Sequence, residues 1–204
     1  LDGDYDKAFL SFDRMLRLNP GERLVASWSR ARVLMYQGRY DDALLELDQG
    51  AAIAPDHPLL RAFRAEVFLL RGDAVLALEL LQEVLHQHPE MDGVRPLYAQ
   101  CLSAVGEHAA ARAQLTERVK EAALADHDIP YWVASVYAME GEHDEAFEWL
   151  GKAIGSGNEN LPWFKSNPAW QSLHDNPRFI ELMHRVEVDL QNASVSTRRV
   201  MSDS

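Results

Sequence analysis

Two near-identical triplets, Gly106-Glu107-His108 and Gly141-Glu142-His143, are the first residues here that invite chemistry. A carboxylate beside an imidazole is raw material for a metal site or for acid–base catalysis. His86 and His88 offer a second pair, Cys101 a single thiol, and Asp41, Asp42, Glu46 and Glu83 a supply of carboxylates. None of these assembles into a recognisable site. The triplets occupy the same turn phase of successive repeats, where Tyr5 and Tyr40 also stand. Helices pack at roughly 10 Å, so turns a full two-helix repeat apart are too distant to share an ion. His86 and His88 are two residues apart near a helix end, where they diverge and where the helix dipole favours an imidazole. Cys101, among Ala99, Leu102 and Ala104, reads as a small core residue, and a lone cysteine excludes an internal disulfide. The carboxylates read as solvated helix faces. Zincin, nucleophile-elbow, phosphate-loop and paired-cysteine patterns are missing. The expectation is therefore no enzyme, no metal and no cofactor.

What must position any functional residue is a repeat. Gly3, Gly38, Gly72, Gly106 and Gly141 follow one another at intervals of 35, 34, 34 and 35 residues. An alanine stands five residues after each, at Ala8, Ala43, Ala77, Ala111 and Ala146, and Pro20, Pro55 and Pro89 follow the first three. Periods in this range mean stacked helical units. In the unit around Gly38, Leu24 to Gln37 carries no glycine or proline and predicts one helix. Asp41 to Ala54 predicts a second, with Ala43, Leu44, Leu47 and Ala51 on one face, Pro55 stopping it and Asp56 capping the next. Ala31, Ala65, Ala99 and Ala134 recur seven residues before the glycines, so small side chains at two phases let the paired helices approach closely.

This pattern resembles the tetratricopeptide repeat: a small residue, an aromatic or leucine, a glycine turn, tyrosine, alanine, an aromatic or leucine, then proline. Tyr5, Ala8, Phe12 and Pro20 carry it in the first unit, and Ala31, Leu34, Gly38, Tyr40, Ala43, Leu47 and Pro55 in the second. The family's early tryptophan is missing: Ser27, Arg61, Arg95 and Pro130 hold that phase. The resemblance implies an all-α, right-handed superhelical solenoid of antiparallel helix pairs. The array is expected over residues 1–158, as a half repeat over 1–20 and four repeats starting near 22, 57, 91 and 127. In the fourth unit Ala123 replaces the proline, so its second helix is expected to run on toward Ala125. Gly3 is a turn whose first helix is missing, which leads to the expectation that the chain is a piece of something longer.

After Ile154 the period breaks. Gly155-Ser156-Gly157-Asn158 reads as a flexible joint, and residues 159–192 as capping helices, with Trp163, Phe164, Trp170 and Phe179 covering the last apolar face. Pro177 marks a helix start, expected to run to about Gln191, and residues 193–204 read as a polar tail. The stretch from Trp149-Leu150 through Leu173, Asp175, Pro177, Arg178, Phe179 and Leu182 resembles the closing segment of arrays in bacterial signalling proteins. In those, the array is fused to a winged-helix regulator, a class III nucleotide cyclase or a serine/threonine kinase.

Composition narrows the partners. The net charge of −12, from 32 acidic and 20 basic residues, repels phosphate backbones, so nucleic acid is not expected. No apolar run approaches a membrane span, and a cytoplasmic location is expected. In the resembled family the first helix of each pair lines a concave groove. Its phases carry over to Val25, Trp28, Arg32 and Tyr36, then Leu59, Ala62, Glu66 and Leu70, then Pro96, Gln100 and Ser103, and finally Tyr131, Ser135 and Met139. The lysines and asparagines with which some members clamp a carboxylate tail are absent. The resemblance thus implies a scaffold or sensor module holding a protein or peptide segment in its groove. The alternative is a C-terminal regulatory domain of a larger bacterial transcription regulator, cyclase or kinase. Self-association through the first half repeat or the tail is a further expectation.

Overall fold

The computed structural model describes residues 4–202, with side chains to residue 192. Gly3 and residues 203–204 lie outside the described residues. All regular structure in them is helical: α1 (Tyr5–Leu18), α2 (Arg23–Tyr36), α3 (Tyr40–Ile53), α4 (Pro58–Leu70), α5 (Ala74–Gln87), α6 (Arg95–Ala104), α7 (His108–Ala113), α8 (Glu117–Ala122), α9 (Asp128–Met139), α10 (His143–Gly155), α11 (Leu161–Ser166) and α12 (Pro177–Ser202), with short 3-10 turns at Pro20–Glu22, Asp92–Val94 and Pro168–Leu173. Helices α2 and α3, α4 and α5, α6 and α7, and α9 and α10 form the hairpins, which stack through α3–α4, α5–α6 and α6–α9 contacts.

The glycine period has a geometric cause. At Gly72 the backbone is left-handed, φ +92°, which lets Asp73 N–H reach back to the Phe68 carbonyl at 2.9 Å. That bond satisfies a carbonyl the helix end would otherwise leave open. The same bond recurs from Arg39 to Leu34, Glu107 to Leu102 and Glu142 to Tyr137. A fifth copy, Asn158 to Ala153 with Gly157 at φ +100°, makes the expected flexible joint an ordered helix cap. The alanine phases are equally physical. Ala31, Ala65, Ala99, Ala134, Ala43, Ala77, Ala111 and Ala146 are all at most 1% exposed, because a larger side chain there would push the helices of a pair apart.

Three further local expectations are corrected. The second helix of the fourth unit does not run on; it breaks after Ala113 and restarts at Glu117. Thr116 turns extended and its hydroxyl accepts the Val119 N–H at 3.4 Å, an N-cap inside the expected helix. Asp56 does not cap α4: His57 holds the N-cap position, with Pro58 at the first helical position. Helix α12 starts at Pro177 as expected but continues to Ser202, through most of the segment read as a polar tail.

The array does not stay open. Tyr5 in α1 donates its hydroxyl to Asn160 Oδ1 at 3.0 Å, and the Tyr36 ring of α2 lies 5.0 Å from the Trp163 ring of α11. The closing segment therefore reaches back to the first helices. Trp163, Phe164, Trp170, Leu173 and Phe179 are all buried in the core that unites these ends.

Candidate functional site

The first helices of the pairs, α2, α4, α6 and α9, surround a common hollow. Across it runs a chain of polar side chains. Arg32 of α2 donates from Nη2 to Asp128 Oδ2 at 2.6 Å, at the start of α9, and to the Tyr36 hydroxyl at 2.6 Å. Its guanidinium lies over the Phe63 ring, 5.2 Å from the centroid, a cation–π contact. Trp132 Nε1 of α9 donates to Glu66 Oε1 of α4 at 3.1 Å, and Gln100 of α6 donates to the Trp132 carbonyl at 3.4 Å. Asn158 supports the far side, donating to Asp128 Oδ1 at 3.5 Å.

This crossing is electrically unbalanced. Glu66 is 5% exposed. Burial pushes its carboxyl up to about 7, against the pull of Arg32 and with the added repulsion of Asp128. Glu66 Oε2 and Arg32 Nε are buried without a hydrogen-bond partner. One guanidinium thus serves two buried carboxylates, and Asp128 holds it directly.

The cap takes part of the expected groove. The Tyr131 ring stacks with Phe164 at 5.1 Å and Trp170 at 6.2 Å, and its hydroxyl accepts from Asn167 Nδ2 at 2.8 Å. Ser135 accepts from Trp170 Nε1 at 3.3 Å. Tyr36, Tyr131 and Ser135, expected along an open surface, are therefore buried against the chain's own closing segment. Burial of aromatic faces that water would otherwise wet drives this closure. Glu66 and Gln100 are buried too, within the polar crossing.

Two hollows remain. The larger, about 450 Å³, is lined by Trp28, Arg32, Leu59, Phe63, Leu97, Ile129 and Trp132, with Glu90, Asp92, Asp126 and Asp128 among its walls. The smaller, about 260 Å³, lies between Leu70, Gln100, Met139 and the cap residues Pro168 and Ala169. Of the residues expected to line the groove, Trp28, Arg32, Leu59 and Ala62 thus meet at one hollow and Leu70, Gln100 and Met139 at the other. Val25 is half-buried and lines neither.

Trp132 and Asp128 were not among the expected lining residues: Trp132 lies outside the carried-over phases, and Asp128 lies on one of them but was not singled out. Trp132 stands nine residues before its glycine, as Phe63 and Leu97 do, and all three line the larger hollow. Asp128 shares the phase of Val25 and Leu59.

The first Gly-Glu-His triplet has a structural role. Glu140, at the end of α9, accepts from Ser103 at 2.6 Å and from Arg112 at 2.5 Å, and contacts His108 Nδ1 at 2.9 Å. His108 thereby helps bracket the third hairpin to the fourth. Among the described residues no three histidine, cysteine or acidic side chains gather as metal ligands, and no helix is long and apolar enough to cross a membrane.

No curated protein matches the sequence significantly. Among solved structures, MamA 41-end from Desulfovibrio magneticus RS-1 is similar at 18% identity and TM-score 0.45, covering 84% of this chain and 97% of that one. YrrB, described as a TPR protein with an unusual peptide-binding site, is similar at 21% identity and TM-score 0.41, covering 78% and 81%. The tetratricopeptide repeat family model matches residues 1–67 and 68–132, and with the glycine-turned hairpins described above the chain belongs to the tetratricopeptide repeat family.

Proposed function

We propose that this chain is a protein-interaction module rather than an enzyme, and that it takes a peptide or protein segment into the larger hollow. The observation that carries this reading is the division of the concave face. The chain's own cap covers Tyr36, Tyr131 and Ser135, but leaves a cavity of about 450 Å³ walled by Trp28, Leu59, Phe63 and Trp132. A concave, mostly apolar pocket with a few convergent polar groups is the usual form of a ligand site. Tryptophan is also a residue type on which binding energy concentrates.

The test is selection of short random peptides displayed on phage against the immobilised chain. Selected peptides are then measured by fluorescence anisotropy on the wild type and on Trp28→Ala. At least a tenfold weakening by Trp28→Ala, with helicity unchanged by circular dichroism, is the expected result. If no selected peptide responds to Trp28, the larger hollow is not the binding site.

A further inference from the structure

We propose that the larger hollow is selective for a basic side chain, a lysine or arginine flanked by apolar residues in the partner peptide. The inference rests on the peptide-binding reading above and adds the chemistry of the ligand. Its first ground is charge. The walls carry four carboxylates, Glu90, Asp92, Asp126 and Asp128, against the single guanidinium of Arg32. Arg32 is already held by Asp128 at 2.6 Å. Asp92 is shared by Arg95 at 3.0 Å and Arg118 at 2.8 Å, and Glu90 faces His88 at 3.6 Å. Asp126 makes no ion pair among the described residues; its Oδ1 accepts only the Asp128 backbone N–H, at 2.8 Å. An exposed carboxylate thus stands at the cavity without a cation.

The second ground is independent of that charge count. Glu66 is 95% buried by its 5% exposure, and its Oε2 has no hydrogen-bond partner. It sits on α4 one turn beyond Ala62 and Phe63, and bonds the indole of Trp132; all three of those residues line the cavity. Glu66 is not itself part of the lining; it stands behind the wall, where its carboxyl favours a positive charge in the cavity over a negative one. The third ground is the lining itself. Half-buried Trp28 and Trp132 offer indole faces, which accept the stem of a lysine or the plane of a guanidinium. An acidic peptide would meet these carboxylates without compensation, and a wholly apolar one would leave Asp126 without a cation.

The experiment uses the peptides whose binding depends on Trp28. We expect them to share a lysine or arginine next to apolar residues. Replacing that residue by norleucine, which keeps the stem and drops the charge, should weaken binding about tenfold. Asp126→Asn keeps an oxygen to accept the Asp128 N–H and removes the charge. It should weaken the basic peptide several-fold and leave its norleucine analogue unchanged. If the selected peptides lack a basic residue, or the norleucine analogue binds as tightly, the proposal fails while the interaction reading stands. If no peptide depends on Trp28, both fail together.

Discussion

Glu66 should make the fold sensitive to pH in a direction opposite to that of a salt-bridged acid. Its carboxyl titrates near 7 in the folded chain, against about 4.5 when unfolded. Between those values the folded state holds a proton that the unfolded state releases. Stability from this group is therefore fully present below about pH 4.5 and is lost as pH rises through 7. Linkage across pH 5 to 8 gives a loss of about 2.5 kcal/mol. Glu66→Gln removes the titration and keeps an oxygen for the Trp132 indole, now 3.1 Å away. The stability of Glu66→Gln minus that of wild type should therefore rise by about 2.5 kcal/mol over this range, or roughly 5–10 °C in Tm for a chain this size. Urea unfolding of both proteins, at matched ionic strength and steps of one pH unit, measures the difference and cancels every other titrating group. A difference that is flat, or that falls with pH, would refute the account of an overcrowded buried crossing.

Two further outcomes follow from the packing. Trp170 is fully buried, with its ring 5.8 Å from Phe179 and its indole N–H on Ser135, so Trp170→Ala should cost about 3–5 kcal/mol. Chemical denaturation checks this, and a loss below 1 kcal/mol would mean that the cap is not docked as described. Cys101 is fully buried, and burial, followed by the nearby Glu66 charge, pushes its thiol up to about 12. It should resist a disulfide reagent at pH 8 in the native state and react promptly in denaturant.

The repeat was legible because its determinants are local. A glycine that must turn left-handed, and an alanine that must let a neighbouring helix approach, leave the same mark in each unit. The hairpins follow from those marks. The break at Thr116 was also local, but a capping threonine is indistinguishable from a surface threonine until the helix around it is seen. The site was only half legible. Phase within a repeat tells which residues of a first helix face inward, and Trp28, Arg32 and Leu59 do meet at one cavity. It does not tell what enters the groove from elsewhere in the chain. Arg32 finds Asp128 96 residues away, and Tyr36 finds Trp163. The Trp163 contact leaves no periodic trace, because the cap is not a repeat, and the phase that Asp128 shares with Val25 and Leu59 does not mark it as the partner of Arg32.

The return of the closing segment to the first helices changes how such an array comes apart. In an open solenoid each unit touches only its neighbours, so the ends fray independently. Here Tyr5 and Asn160 are 155 residues apart in sequence yet share a hydrogen bond, and Tyr36 and Trp163 share a ring contact. Peeling away either end breaks contacts at both. The two ends of the array are thus coupled, and forming their contacts requires closing a loop of more than a hundred residues, the kind of long-range contact that slows folding.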